Sequence, residues 1–454
     1  MIRITKEDLT RPEAIRRKII SLSLPAVGEN LFRTIFSFVD MAFVGYIGST
    51  ALAGVGLSNQ VIFVFMAVMF SLNIGTVVLI SQNVGAKREE KARYSAYQSI
   101  YLGIFVSIVF ALVPIFFSDK IFSLFNTTPE LKNFASSYFF WILAPSFVFV
   151  LPFMFGAILR GFGDTKSPFK ITAFANTLNI FLDYCLIFGK FGFPALGVTG
   201  AAIATSLSRG VSVIIYLFVL FNKKGKVRLS FRFPKPDFFI IGKILSIGFP
   251  ASIERFMFTF GNLMFAAIVL TLGPKGYAAH RIAINVESLS FNAGLGFAIA
   301  TTTLVGQVVG FGEMEKAKKV AYEAMKITVV LMGSVGILLF FFPDLLIRIF
   351  TREIDVINQA RTAVKIVSLA QPLLATIFIL SGAFRGGGNT KTPMISTGIG
   401  VWLIRIPFSY LFVKVMGLGI AGAWYAVVLD TAFKALFLWI NFIKKANFKQ
   451  HVLT

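Results

Sequence analysis

Apolar runs of roughly 20–25 residues recur along the whole chain, separated by short polar connections. That length crosses a hydrocarbon core of ~30 Å as α-helix, whereas a membrane β-barrel would show shorter, alternating segments. Twelve spans are expected, at about 22–46, 52–80, 93–118, 133–158, 168–189, 196–222, 245–270, 277–306, 319–344, 360–384, 393–414 and 418–442. The longest polar connection runs from Asn222 to about Lys243, near the middle of the chain. It suggests an N-lobe over 1–222, a cytoplasmic inter-lobe connection over 223–244, and a C-lobe over 245–454.

The two halves repeat at an offset of 225 residues. Pro25 in SLPAVGEN matches Pro250 in GFPASIER, and Glu29 matches Glu254. Gln82 falls on Gln307, Gly85 on Gly310, Lys91 on Lys316 and Tyr97 on Tyr322. LRGFGDTKSP matches FRGGGNTKTP, placing Arg160 on Arg385 and Pro168 on Pro393. After a small deletion, ALGVTGAAIA from Ala195 matches GLGIAGAWYA from Gly417. Six spans return the chain to the same side, so the repeats are parallel and related by an axis along the membrane normal. The expected fold is an all-α polytopic membrane protein, twelve transmembrane helices in two pseudo-symmetric six-helix bundles.

Composition agrees: 56% of residues are hydrophobic, 14% are charged, and the mean hydropathy is +0.79. A net charge of +23 in a soluble protein would suggest nucleic acid. Here the basic residues sit between spans: in the N-terminal leader, after spans 2, 4, 6, 8 and 10, and in the tail. The positive-inside rule then places both termini in the cytoplasm, in a multi-pass protein of the inner cell membrane. The start reads as a polar, basic leader without a cleavable signal pattern. Cys185 is the lone cysteine, and His280 and His451 are the two histidines, so neither a disulfide framework nor a His/Cys metal site is expected. No Walker motif, HExxH or usable GxSxG is present, so neither an enzyme nor a nucleotide-driven pump is expected, and no cofactor.

The span FKITAFANTLNIFLDYCL carries Asn176, Asn179 and Asp183 at i, i+3 and i+7, one face of a helix. A carboxylate inside a span costs roughly 2.5–3.5 kcal/mol and usually faces a cavity or a partner. The repeat sorts such residues. Polar groups present in both halves serve the fold more readily than a one-sided function. Glu29 and Glu254 are shared, and each has an arginine nearby, Arg33 and Arg255, suited to ion pairing. The RGxGxTKxP loops are shared too and read as scaffold. Asp40, Asn179, Asp183 and Thr205 are unshared, their counterparts being Phe265, Ile404, Phe408 and Val427. These four offer hard oxygen ligands for Na⁺, while two neighbouring carboxylates equally make a proton carrier. Separate polar contacts on unrelated faces are the plainer alternative. The C-terminal half has its own unshared set, Asn285, Glu287, Arg405 and Asp430, in which Arg405 either completes a site or neutralises an acid. Glu254 and Asn176 join Asn285, Glu287 and Asp430 as candidates for a substrate or second site. The 53 Phe and 12 Met suit an adaptable drug pocket or a lipid-facing surface.

VDMAFVGYIGSTALAGVGL, the two Gln-x-x-Gly segments at Gln82 and Gln307, and the two RGxGxTKxP loops together resemble the multidrug and toxic compound extrusion (MATE) family over essentially the full chain. The resemblance implies a secondary active antiporter that exports small organic, often cationic compounds in exchange for H⁺ or Na⁺ by alternating access. Within the family the N-lobe pattern resembles the DinF-like branch. Asp40 matches its span 1 acid, Asn179 and Asp183 its span 5 amide and acid, and Thr205 its span 6 hydroxyl. That branch is associated with bending of span 1 at a proline, here Pro25. The partners expected are a small-molecule substrate and membrane lipid, without nucleic acid, acting on a monomer. A lipid-linked precursor flippase of the same superfamily is the alternative, with its basic loops holding a pyrophosphate.

Overall fold

The structure is a computed structural model and describes residues 2–222, 225, 227–445 and 448–453. The basic residues Lys223, Lys224 and Lys226 of the inter-lobe segment lie outside the described residues. The first half holds α1 (Pro12–Ile47), α2 (Ser49–Gly85), α3 (Glu89–Ser123), α4 (Pro129–Leu143), α5 (Ser146–Gly161), α6 (Lys166–Phe188) and α7 (Gly197–Phe221). The second holds α8 (Phe238–Leu270), α9 (Gly273–Gly310), α10 (Met314–Phe341), α11 (Pro343–Phe350), α12 (Ile354–Leu369), α13 (Gln371–Gly386), α14 (Lys391–Gly398), α15 (Ile406–Tyr410) and α16 (Gly419–Lys445).

Among the described residues, nine helical stretches are long and apolar enough to cross a membrane, or eleven when each of two bent pairs counts as one span. With α1, which that count leaves out, twelve spans result. Three depart from unbroken α-helix. Spans 4 and 10 are each bent by 53°, between α4 and α5 and between α12 and α13. The sequence holds a proline at each break, Pro145 and Pro372, and a proline has no N–H to continue the helical ladder. Span 11, Lys391–Val415, contains two π-helical stretches, Ile399–Arg405 and Leu411–Val415. Pro407 lies between them. Its repeat partner α6, with Leu182 at that position, is regular α-helix throughout.

The chain divides into two compact units: Gly28–Val84 with Arg88–Gly248, and Ile2–Val27 with Gly85–Lys87 and Phe249–Thr454. These bounds differ from lobes cut at the central connection, because the segment that leads into each half is built into the other unit. In the second unit, Ile4, Leu9, Ile15, Ile19 and Leu22 share a core with Leu304 and Val308 of α9, Ala321 of α10 and Ile379 of α13. Gln307 Oε1 accepts from the Ile4 backbone N–H at 3.1 Å, and Arg16 Nε meets Glu323 at 2.6 Å. The leader is thus held by apolar burial as well as charge, because Ile2, Ile4 and Leu9 interrupt its polar residues. In the first unit, Val227 and Leu229 share a core with Val84, Ala96 and Ile158. The Tyr97 hydroxyl accepts from the Ser230 N–H at 2.6 Å, and Gln98 accepts from the Asp237 N–H at 2.8 Å. Leu229 is Ile4 plus the repeat offset of 225, so the exchange is reciprocal.

The same reciprocity appears deeper in. Gly75 of α2 lets the Ile244 carbonyl of α8 approach; a Cβ there would lie 2.1 Å from that oxygen. A Cβ on Gly296 of α9 would lie 2.6 Å from the Val27 nitrogen of α1. Two helices therefore pass from one unit to the other. α1 does so after Val27, two residues beyond Pro25, and α8 after Gly248, two residues before Pro250.

Candidate functional site

In the first unit α6 packs along α7, and α4 also packs on α7. This brings the sequence-predicted oxygens together. Asn179 Nδ2 donates to Thr205 Oγ1 at 3.4 Å, which leaves the Asn179 carbonyl oxygen outside that bond. Asp183, one turn beyond Asn179 on α6, is 0% exposed. The carboxyls of Asp40 on α1 and Asp183 lie within mutual hydrogen-bonding reach. Among the described residues, no donor meets Asp183 Oδ1, Asp183 Oδ2 or Asp40 Oδ1. Two carboxylates side by side, Asp183 buried and Asp40 half-buried, repel one another unless a proton or a cation sits between them. The arrangement can therefore hold a proton or a cation between its carboxyls. The donor set for a hard monovalent cation is Asp40, Asp183, the Asn179 carbonyl and the Thr205 hydroxyl, all oxygen. No group of three His, Cys, Asp or Glu suited to a metal occurs among the described residues. Asn176, two turns before Asp183 on α6, is half-buried.

Two further side chains belong to this cluster. Tyr138 of α4 is 4% exposed, and its phenol and the Arg209 guanidinium of α7 both lie in the field of Asp40. Arg209 was legible in principle: it is four residues after Thr205, hence on the same face, and its repeat counterpart is Thr431.

The shared acids resolve differently. Arg385 Nη2 donates to both Glu254 oxygens, at 2.8 and 2.9 Å, and Thr397 Oγ1 donates to Oε1 at 3.3 Å. In the other half Arg160 meets Glu29 at 3.4 Å, Thr172 reaches it at 3.5 Å, and Arg33 pairs with it at 2.8 Å. The arginine of each RGxGxTKxP loop thus clamps the acid of the first span in its own half. For Glu254 the ion-pair partner is Arg385, not the adjacent Arg255. Glu254 is buried in that pair rather than presented to a ligand.

Asp430 is held likewise. Arg405 donates to its Oδ2 through Nε at 2.8 Å and Nη2 at 2.6 Å, and Lys434 Nζ donates at 2.7 Å. Arg405 Nη1 also donates to Asn262 Oδ1 at 2.8 Å. The π-helical stretch of span 11 carries Arg405, and Gly400 in it leaves the space that Asp430 fills, since a Cβ there would lie 2.2 Å from Asp430 Oδ1. Lys434, one helical turn after Asp430, went unread in the sequence. Arg405 therefore neutralises Asp430. Glu287 and Asn285 of α9 are half-buried, and among the described residues Glu287 forms no ion pair.

A bundle of twelve spans in two repeated halves, with unpartnered carboxylates buried in one half, defines a polytopic membrane transporter. The MatE family pattern matches residues 25–185 and again 250–411, one match per repeat. The chain is 42% identical to the probable multidrug resistance protein NorM of Thermotoga maritima over 453 residues, 99% of this chain and 96% of that protein. It is also similar to a solved MOP superfamily transporter from Pyrococcus furiosus, at a TM-score of 0.89 and 25% identity, covering 98% of this chain and 99% of that one. Reversed polarity of the binding pocket suggests a different function for that protein. A multidrug resistance MATE family transporter solved in an outward-facing conformation gives a TM-score of 0.87 at 26% identity, covering 97% and 98%. The chain belongs to the MatE family of transporters, and the lipid-linked precursor flippase is not favoured.

Proposed function

We propose that the chain is a secondary active multidrug antiporter whose coupling charge is carried by Asp40 and Asp183, with Asn179 and Thr205 completing the donor set. One observation carries this assignment. Asp183 is fully buried, both its oxygens lack a donor among the described residues, and the ionisable group acting on it is another carboxyl, that of Asp40. A buried charge left so is costly, and uptake of H⁺ or Na⁺ relieves it. A ligand shifts a conformational equilibrium only by its differential affinity for the two states. Asp40 and Asp183 supply that difference if the coupling ion is held in one state and released in the other. The substrates are small organic compounds, commonly cationic, which compete for the same negative charge. The protein acts as a monomer in the cell membrane with both termini cytoplasmic, an orientation supported by the distribution of Lys and Arg.

The test is efflux of a fluorescent organic cation from cells that express wild type, Asp40→Asn or Asp183→Asn at matched membrane levels. Each variant is expected to lose energised efflux. Wild-type efflux by both variants overturns the assignment. Glu287, acidic and without an ion pair among the described residues of the second unit, supports a second coupling position. Loss of efflux in Glu287→Gln alone, with both aspartate variants active, moves the site there.

A further inference from the structure

Arg209, half-buried in α7, differs from the basic groups of the spans that are already paired. Arg33 is committed to Glu29, Arg160 to Glu29, Arg385 to Glu254, and Arg405 and Lys434 to Asp430. Among the described residues no carboxylate pairs with Arg209, and its Nη1 is buried without an acceptor. Its guanidinium lies over the Phe149 ring at 4.8 Å, a contact that offsets part of a buried cation's lost hydration. One cluster thus contains an orphaned cationic donor and orphaned anionic acceptors. The groups that interact with Arg209 or with its acidic neighbours are Asp40 and Arg33 from α1, Tyr138 from α4 and Asp183 from α6; α5 contributes Phe149, which carries no charge.

We infer that Arg209 is a resident counter-cation of the Asp40–Asp183 site, so that the site takes up one proton or one monovalent cation rather than two. This rests on the proposed coupling site and fixes its stoichiometry. The charge count is direct. With both carboxylates ionised and Arg209 charged, these three groups carry one net negative charge; Arg33 and Arg160 share Glu29 and stand outside that count. One proton brings the count to zero. A second would leave a net positive charge in a low-dielectric interior, where an uncompensated ion is strongly disfavoured. When the coupling ion leaves, the free Arg209 N–H is the donor available to the carboxylate it vacates. Arg209 also bears on the substrate. An organic cation meets a site that already holds one positive charge, so a single positive charge on the substrate suffices to replace the coupling ion.

The experiment counts protons. Purified protein in sodium-free, weakly buffered detergent is stepped from about pH 9 to about pH 5, a range that spans displaced carboxyl titrations. Uptake per protein is read with an indicator dye. The difference between wild type and the Asp40→Asn/Asp183→Asn double variant isolates the site. Wild type is expected to exceed the double variant by one proton, Arg209→Gln by two, and Arg209→Lys again by one. The same difference for Arg209→Gln as for wild type overturns the inference while leaving the coupling site in place. No difference between wild type and the double variant removes the coupling site itself. A variant that unfolds is recognised by size-exclusion chromatography, and Arg209→Met, which keeps much of the stem volume, then replaces Arg209→Gln with the same expected count.

Discussion

Replacing Glu254 by glutamine separates acids that build the fold from acids that carry charge. Glu254 and Arg385 are 11% and 12% exposed at the side chain, and both carboxylate oxygens accept from the guanidinium. Removing one partner of a buried pair leaves the other charge uncompensated and costs roughly 3–5 kcal/mol. The slight exposure and the retained Thr397 hydroxyl place Glu254→Gln near the lower value. About 3 kcal/mol corresponds to ~150-fold in the ratio of folded to unfolded protein. Asp183→Asn removes no such partner: it replaces a carboxylate that has no donor with a neutral amide of the same size. Its expected effect is within about 1 kcal/mol of zero, or stabilising. The assay is reversible denaturation of the purified protein in mixed micelles, followed by tryptophan fluorescence, with both variants in parallel. The Glu254→Met/Arg385→Met double variant should lose less than the sum of the two single variants, because the orphaned charge is gone. Equal stability of Glu254→Gln and wild type, or equal losses in Glu254→Gln and Asp183→Asn, refutes the division into scaffold and coupling acids.

Asp430→Asn should destabilise by about 3–5 kcal/mol, since it orphans Arg405 and Lys434 together, whereas Glu287→Gln should be near neutral; the same denaturation assay checks both. Ile4→Ala and Leu9→Ala, each truncating a side chain only 1% exposed, should each cost about 2–5 kcal/mol even though they lie in an N-terminal leader. The leader should also loosen in acid. Burial alone would raise Asp8, but hydrogen bonds from Lys18 and Thr5 outweigh it and hold Asp8 below its ordinary 3.8. A depressed carboxylate contributes stability that is present above the unfolded value and lost as pH falls through the folded one. Amide exchange over residues 2–11, corrected for intrinsic rates, should therefore accelerate below about pH 4, and Asp8→Asn should abolish that step. An unchanged pH response in Asp8→Asn contradicts this.

Much of the architecture was readable because two signals reinforce each other: span-length apolar runs and a repeat that aligns Pro25 with Pro250 and Arg160 with Arg385. The repeat also marks Glu29 and Glu254 as suited to ion pairing, with Glu254 a substrate-site candidate as well, and in the structure both are ion-paired. It named the wrong partner for Glu254, because Arg255 is adjacent in sequence while Arg385 arrives from another helix by tertiary packing. The breaks in spans 4 and 10 were less visible, since a proline in an apolar run does not disclose how far the helix bends. Exchange of the two entry segments was invisible for a different reason. Ile4 and Leu229 are apolar positions in polar stretches, and nothing in a local pattern tells which unit buries them. Arg209 and Lys434 were passed over among the many basic residues of the chain, although each lies one helical turn from a residue already singled out, Thr205 and Asp430.

Exchange of charge for substrate at Asp183 is tested most directly by running the coupling backwards. Reconstituted vesicles are loaded with an organic cation, diluted to impose an outward substrate gradient, and monitored for proton or sodium flux with a dye in the lumen. Coupling requires that the substrate gradient drive an opposite ion flux into wild-type vesicles, in H⁺ or in Na⁺, and that Asp183→Asn vesicles show none. Substrate-driven ion flux through Asp183→Asn equal to wild type would contradict the account.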